Sequence, residues 1–186
     1  MMNNSLQPRK RAAVLTGLCA LFLLVILNAG CLSRRAPVRQ FVLPGYLGSR
    51  NAGWLELSMP EYLQNRNFVQ YDSFTGELRT VGAVMWAVPF NRMVESALAY
   101  QLDSWRRSAK GADIAVQLHN FAVGFDGKFH AAGRICRRGS GTSHAPVEFS
   151  FELESEEVNE PLEVQIVWLC DYAVEILAET VMEKVQ

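Results

Sequence analysis

The chain has 186 residues, with 18 Lys and Arg against 19 Asp and Glu and a formal net charge of −1. Without a basic surplus it lacks the electrostatic footprint of a nucleic-acid binder. Hydrophobic residues make up 49 %, enough for one filled core, and the length is too short for two comfortable domains.

The first eleven residues carry Arg9, Lys10 and Arg11 and no acid, and an almost unbroken apolar run follows from Ala12 to Leu27. That is the layout of an export signal, whose basic end stays cytoplasmic while the apolar run enters the bilayer as a helix. Asn28-Ala29-Gly30-Cys31 then resembles the lipobox of bacterial lipoproteins, with Leu27 one place further back than usual. The expectation is a signal peptide over residues 1–30 and a lipid-bearing Cys31 as the first mature residue. An uncleaved membrane anchor is the alternative reading. Leu32 stands where an inner-membrane retention signal has Asp, which points to the periplasmic face of the outer membrane. Residues 31–38 include Pro37, show no periodicity and read as a lipidated tether reaching roughly 25 Å at most.

Residues 39–186 read as a single periplasmic domain. Short strands are predicted at Arg39 to Leu43, Trp54 to Leu57, Phe68–Tyr71 and Leu78–Val81, the last two joined through the turn formers Asp72 to Gly76. Pro89 opens a helix to about Ser108, in which Phe90, Met93, Val94, Ala97, Leu98, Leu102 and Trp105 recur at steps of three and four. Ile114, Val116 and Leu118 alternate, as do Phe121, Val123 and Phe125 after a phase break at His119-Asn120, so a β-bulge is expected there. Asp126-Gly127 turns the chain into a strand over Lys128–Arg137. Val147, Phe149, Phe151 and Leu153 alternate with polar residues, and a long helix follows Pro161. Its apolar stripe is Ile166, Cys170, Ala173, Val174, Leu177 and Val181, with acids on the other side. The sum is an α+β fold, a two-layer sandwich of a largely antiparallel sheet and two amphipathic helices.

Charge and cysteines add two expectations. Residues 31–147 hold 14 basic and 8 acidic side chains, whereas 148–186 hold Lys184 against 11 acids. Such halves neutralise each other when they lie side by side in one fold. In the strand around residues 129–135 the odd positions are apolar, so Cys136 points to the opposite face from the one that Cys170 packs against. A disulfide between them is therefore not expected, although the compartment is oxidising.

No metal or nucleotide motif is present, and His119, His130 and His144 are scattered. No cofactor and no catalytic centre is expected. A thiol enzyme using Cys136 or Cys170 with a histidine is a remote alternative, since a nucleophilic cysteine needs an activating neighbour.

One resemblance extends over nearly the whole mature chain. Pro60-Glu61-Tyr62-Leu63 is followed by polar residues and the pair Phe68-Val69, and Trp86-Ala87-Val88-Pro89-Phe90 leads into the first helix. In this order, with Phe41-Val42-Leu43-Pro44 ahead of them, these segments resemble the ABC-type transport auxiliary lipoproteins, which include the paraquat-inducible C-type lipoproteins. The resemblance implies an accessory, non-enzymatic role in Gram-negative intermembrane lipid transport. The implied partners are a mammalian-cell-entry (MCE) domain protein and an ABC transporter complex, besides the membrane itself. A homo-oligomer is compatible with this, and a purely structural envelope lipoprotein stays open. Tyr62 and Trp86 are the candidate partner contacts because aromatics anchor interfaces, with closure of one end of the core as their other reading.

Overall fold

The computed structural model describes residues 37–46, 52–72, 74–108, 113–138, 145–155 and 159–185. The chain divides into two compact units, Met1–Pro37 and Val38–Gln186, and all described residues except Pro37 belong to the second. Cys31 and the residues predicted as a signal peptide lie outside the described residues. Among those residues no helix is long and apolar enough to cross a membrane.

Seven strands form one open sheet: β1 (Arg39–Phe41), β2 (Leu55–Ser58), β3 (Asn67–Tyr71), β4 (Leu78–Trp86), β5 (Asp113–Gly124), β6 (Phe129–Arg138) and β7 (Val147–Leu153). Two helices, α1 (Phe90–Ser108) and α2 (Leu162–Lys184), cover one face. The fold is α+β as the sequence predicts, and the long ladders β5–β6 and β6–β7 are antiparallel. The sheet as a whole is mixed, because β1 pairs parallel with β4, and β2 and β3 pair parallel with β5. The reason lies in β5, whose twelve residues are long enough to pair with two short strands along one edge. β2 lies along Leu55↔Ile114 to Ser58↔Gln117, a single 3-10 turn at Glu61–Leu63 steps the chain forward, and β3 rejoins the edge at Gln70↔Val123.

The phase break in β5 is a bulge. Leu118 lies opposite Gly133 and Asn120 opposite Ala132, which leaves His119 as the extra residue. Ile114, Val116 and Leu118 before it and Phe121 and Val123 after it are all buried, so the insertion keeps every apolar side chain on the core face. The bulge also brings the β5 backbone close to Gly133, where a Cβ would stand 2.3 Å from the Gln117 carbonyl oxygen.

β4 departs from the sequence reading, running five residues beyond Val81 to Trp86. Between Thr80 and Met85 it carries extra residues opposite β3, and Gly82 has φ +47 there. A left-handed glycine breaks the alternation on which the sequence reading relied.

The core lies between the helices and the inner sheet face. Met93, Val94, Ala97, Leu98 and Leu102 of α1 and Ile166, Cys170, Ala173, Val174, Leu177 and Val181 of α2 are buried, and the helices pack on each other. The acidic C-terminal segment lies along the basic one. Glu148 is opposite Arg134 and Glu152 opposite His130, Lys128 pairs with Glu154, and Arg39 of β1 pairs with Glu163 of α2. Exposed pairs of this kind contribute about 0–1 kcal/mol each, so their main effect is to match strand to strand.

Candidate docking surface

The two segments that carry the family resemblance meet in space. Trp86 stacks on Phe68 with ring centroids 4.1 Å apart and on Phe90 at 4.9 Å. The Trp86 N–H donates to the Arg66 carbonyl at 2.7 Å, and Arg66 Nε donates back to the Trp86 carbonyl at 2.9 Å. The Phe90 N–H donates to the Asn65 carbonyl at 2.9 Å, which fixes the start of α1 against the turn before β3. These residues build the fold. Trp86 is only 2 % exposed, so it closes one end of the core, the second of its two readings.

Tyr62 is half-buried at the 3-10 turn. Its ring stacks on Tyr71 at 6.3 Å and its hydroxyl faces Asn120 Oδ1 at 3.4 Å. Burial, with the neighbouring Tyr71 adding to it, pushes the Tyr62 phenol up to about 12. Tyr62 and Trp86 therefore belong to different environments and do not form one surface.

The histidines and cysteines do not converge on a catalytic arrangement. His130 is held between two carboxylates, Nε2 to Asp126 Oδ2 at 3.1 Å and Nδ1 to Glu152 Oε1 at 3.2 Å. The lysine-turn amide and His130 help hold the Asp126 carboxyl below its usual range against the opposing effect of desolvation. Cys136 shares its strand but is six residues along, roughly 20 Å away at the rise of a β-strand. Cys170 is buried in α2, and desolvation raises its thiol pKa, the opposite of what a nucleophile needs. Both cysteines are free, one on each side of the sheet as their phases require. Among the described residues, no group of three or more metal-ligating side chains converges.

A different feature stands out on α2. Trp168 is 59 % exposed and Tyr172 51 %, and the two lie one turn apart on the side away from the buried stripe. They flank an open cleft of about 440 Å³ between α2 and the residues that follow β7. Among the described residues, its charged lining is Glu154, Asp171 and Glu175. Asp171 Oδ1 accepts from the Gly45 N–H at 2.9 Å, and Glu154 pairs with Lys128. An aromatic pair exposed on a helix, beside a cleft with a carboxylate rim, suits an apolar side chain flanked by basic groups. Helical phase places Trp168 and Tyr172 off the stripe, but the sequence reading assigned that side to the acids and missed them.

A second cleft, of about 430 Å³, lies between β2 and α1. In its lining Arg138 pairs with Glu56 and Arg92 with Glu95 at 3.4 Å, with Asp113 beside them.

No family model matches the chain, and no curated protein is significantly similar to it. Among the solved structures similar in fold are two crystal structures. One, of an uncharacterized protein, shares 16 % identity at a TM-score of 0.65 over 81 % of this chain and 100 % of its own. The other, protein XCC0632 from Xanthomonas campestris, associated with family DUF330, shares 12 % identity at a TM-score of 0.52 over 76 % of this chain and 91 % of its own.

Proposed function

We propose that this protein is a lipid-anchored docking module of the bacterial envelope, held at the periplasmic face of the outer membrane through Cys31. It acts by binding a partner of an ABC/MCE-type intermembrane lipid transport system, without catalysis of its own. The observation that carries the docking role is the exposed Trp168–Tyr172 pair beside its acid-rimmed cleft. The transport assignment is supported by the order of the segments that resemble the auxiliary lipoproteins, which meet here through Phe68, Trp86 and Phe90.

The test is co-purification of the full chain from detergent extracts with an MCE-domain protein, comparing native protein with the double variant Trp168→Ala, Tyr172→Ala. Interface aromatics of this kind contribute about 2 kcal/mol or more each when they are hot spots, so the variant should lose at least about tenfold in recovered partner at unchanged melting temperature. Equal recovery from both proteins removes the α2 face from the docking role. Absence of any MCE-domain protein from the native extract removes the transport assignment.

A further inference from the structure

We infer that one end of the domain rests on the lipid bilayer, with Phe74 at the tip of the β3–β4 hairpin entering the headgroup region. The inference rests on the lipid-anchor reading of Cys31.

The geometry begins with strand direction. β1 is parallel to β4, with Gln40 opposite Met85, and Met85 is opposite Asn67 of β3. Followed backward, β1 therefore points toward the end at which Tyr71 and Leu78 pair and the hairpin turns. Asn67 to Tyr71 is four residues, so the hairpin's last row lies roughly 13 Å beyond Gln40 on that side. The β5–β6 turn lies at the same end, since Tyr71 is opposite Gly124. So does the end of β7, since Leu153 is opposite Phe129 and Phe129 is opposite Val123.

Two apolar side chains are exposed on the hairpin, Phe74 at 96 % and Leu78 at 45 %, and Val38, ahead of β1, is 47 % exposed. Of the charged groups at this end, Arg79 pairs with Glu77 and Lys128 with Glu154, while the Asp72 carboxylate accepts from the Phe74 and Thr75 N–H groups of its own turn. Matched pairs approach a headgroup layer at a smaller desolvation penalty than lone charges. Phe74 is also held in place: its N–H donates to Asp72 Oδ1 at 2.8 Å, and the Gly76 N–H donates to the Asp72 carbonyl at 2.8 Å.

Chain length supplies the occupant. Six residues lie between Cys31 and Val38, and those seven steps give a contour of at most roughly 25 Å. A bilayer that holds the Cys31 lipid therefore lies within that distance of Val38. The side from which β1 enters is the one whose tip carries an unburied phenylalanine, the type of side chain that settles at a membrane interface.

The experiment uses the mature, acylated full chain in vesicles of phosphatidylethanolamine and phosphatidylglycerol carrying brominated acyl chains, which quench indole at short range. Phe74→Trp is compared with Ser104→Trp, an exposed position on α1, each after subtraction of the native tryptophan signal. α1 ends at the opposite end of the sheet, where Arg106 stacks over Trp54 and the Trp54 carbonyl accepts from the Ile114 N–H. Acylation at Cys31 is checked by mass in each sample. The expected result is quenching of the added indole at position 74 about twofold or more above that at position 104, as for a side chain buried in the acyl boundary. Equal quenching in two acylated, folded variants overturns the orientation. Absence of acylation overturns the anchor reading, and the orientation with it.

Discussion

Replacing Trp86 by alanine is the sharpest perturbation of the fold. The indole is 2 % exposed and lies between Phe68 and Phe90, so the change removes a large buried side chain and two aromatic stacks together. Aromatic-to-alanine changes in cores cost about 3–5 kcal/mol, and each stack contributes roughly 0.5–1.5 kcal/mol beyond its area, which places this substitution toward the upper end. Typical domains have about 5–15 kcal/mol in all, so the variant should fold only marginally. At about 2–4 °C per kcal/mol for a domain near this size, its melting temperature should fall by about 10 °C or more. Circular dichroism measures the shift by thermal unfolding and the free energy by urea denaturation, with Trp168→Ala as the exposed comparison, expected to change stability by about 0.5 kcal/mol or less. A loss below about 1 kcal/mol at Trp86, or a loss at Trp168 equal to it, refutes the assignment of these two tryptophans to core and surface.

Cys136 should alkylate in the native protein while Cys170 reacts only after denaturation, and mass spectrometry without reductant should find both as thiols; a product bearing a Cys136–Cys170 bond contradicts the two-face placement. Gly133→Ala should lower stability by about 1–3 kcal/mol, because overpacking forces a rigid backbone to move and the new Cβ meets the Gln117 carbonyl oxygen; an unchanged denaturation midpoint argues against the bulge. The Tyr62 phenol titrates near 12 when folded and near 10 when unfolded. The unfolded state therefore releases its proton first, and stability should fall as pH rises from about 10 to 12 by at most about 1.4 kcal/mol per unit, less after allowing for solvent at the ring. Tyr62→Phe should flatten that dependence, and a variant with the same slope as the native protein rules the tyrosine out as its source.

Helices and long strands were legible because their apolar residues keep a fixed period over many positions. Phe90 to Leu102 and Ile166 to Val181 each gave one stripe, and the buried positions match them. The bulge at His119 was legible for the same reason, since an inserted residue shifts the phase without changing the pattern. Parallel pairing of β1, β2 and β3 was not, because strands of three to five residues carry no local signal of their partner. The length of β4 was obscured by Gly82, where the alternation breaks. Aromatic residues posed a separate difficulty. Trp86 and Trp168 are the same residue type near helices or strands of mixed character, and only the three-dimensional neighbours separate a core ring from an exposed one. Helical phase did hold the information for Trp168 and Tyr172, both of which fall off the stripe of α2.

The most direct test of the docking account is site-specific photo-crosslinking in intact cells, with a photoreactive amino acid placed at position 168 in one strain and at position 104 in another. The account predicts a crosslinked product at position 168, identified by mass spectrometry as this chain joined to an MCE-domain protein, and no such product at position 104. Crosslinking that is equal at the two positions, or a position-168 product that contains no MCE-domain protein, contradicts it.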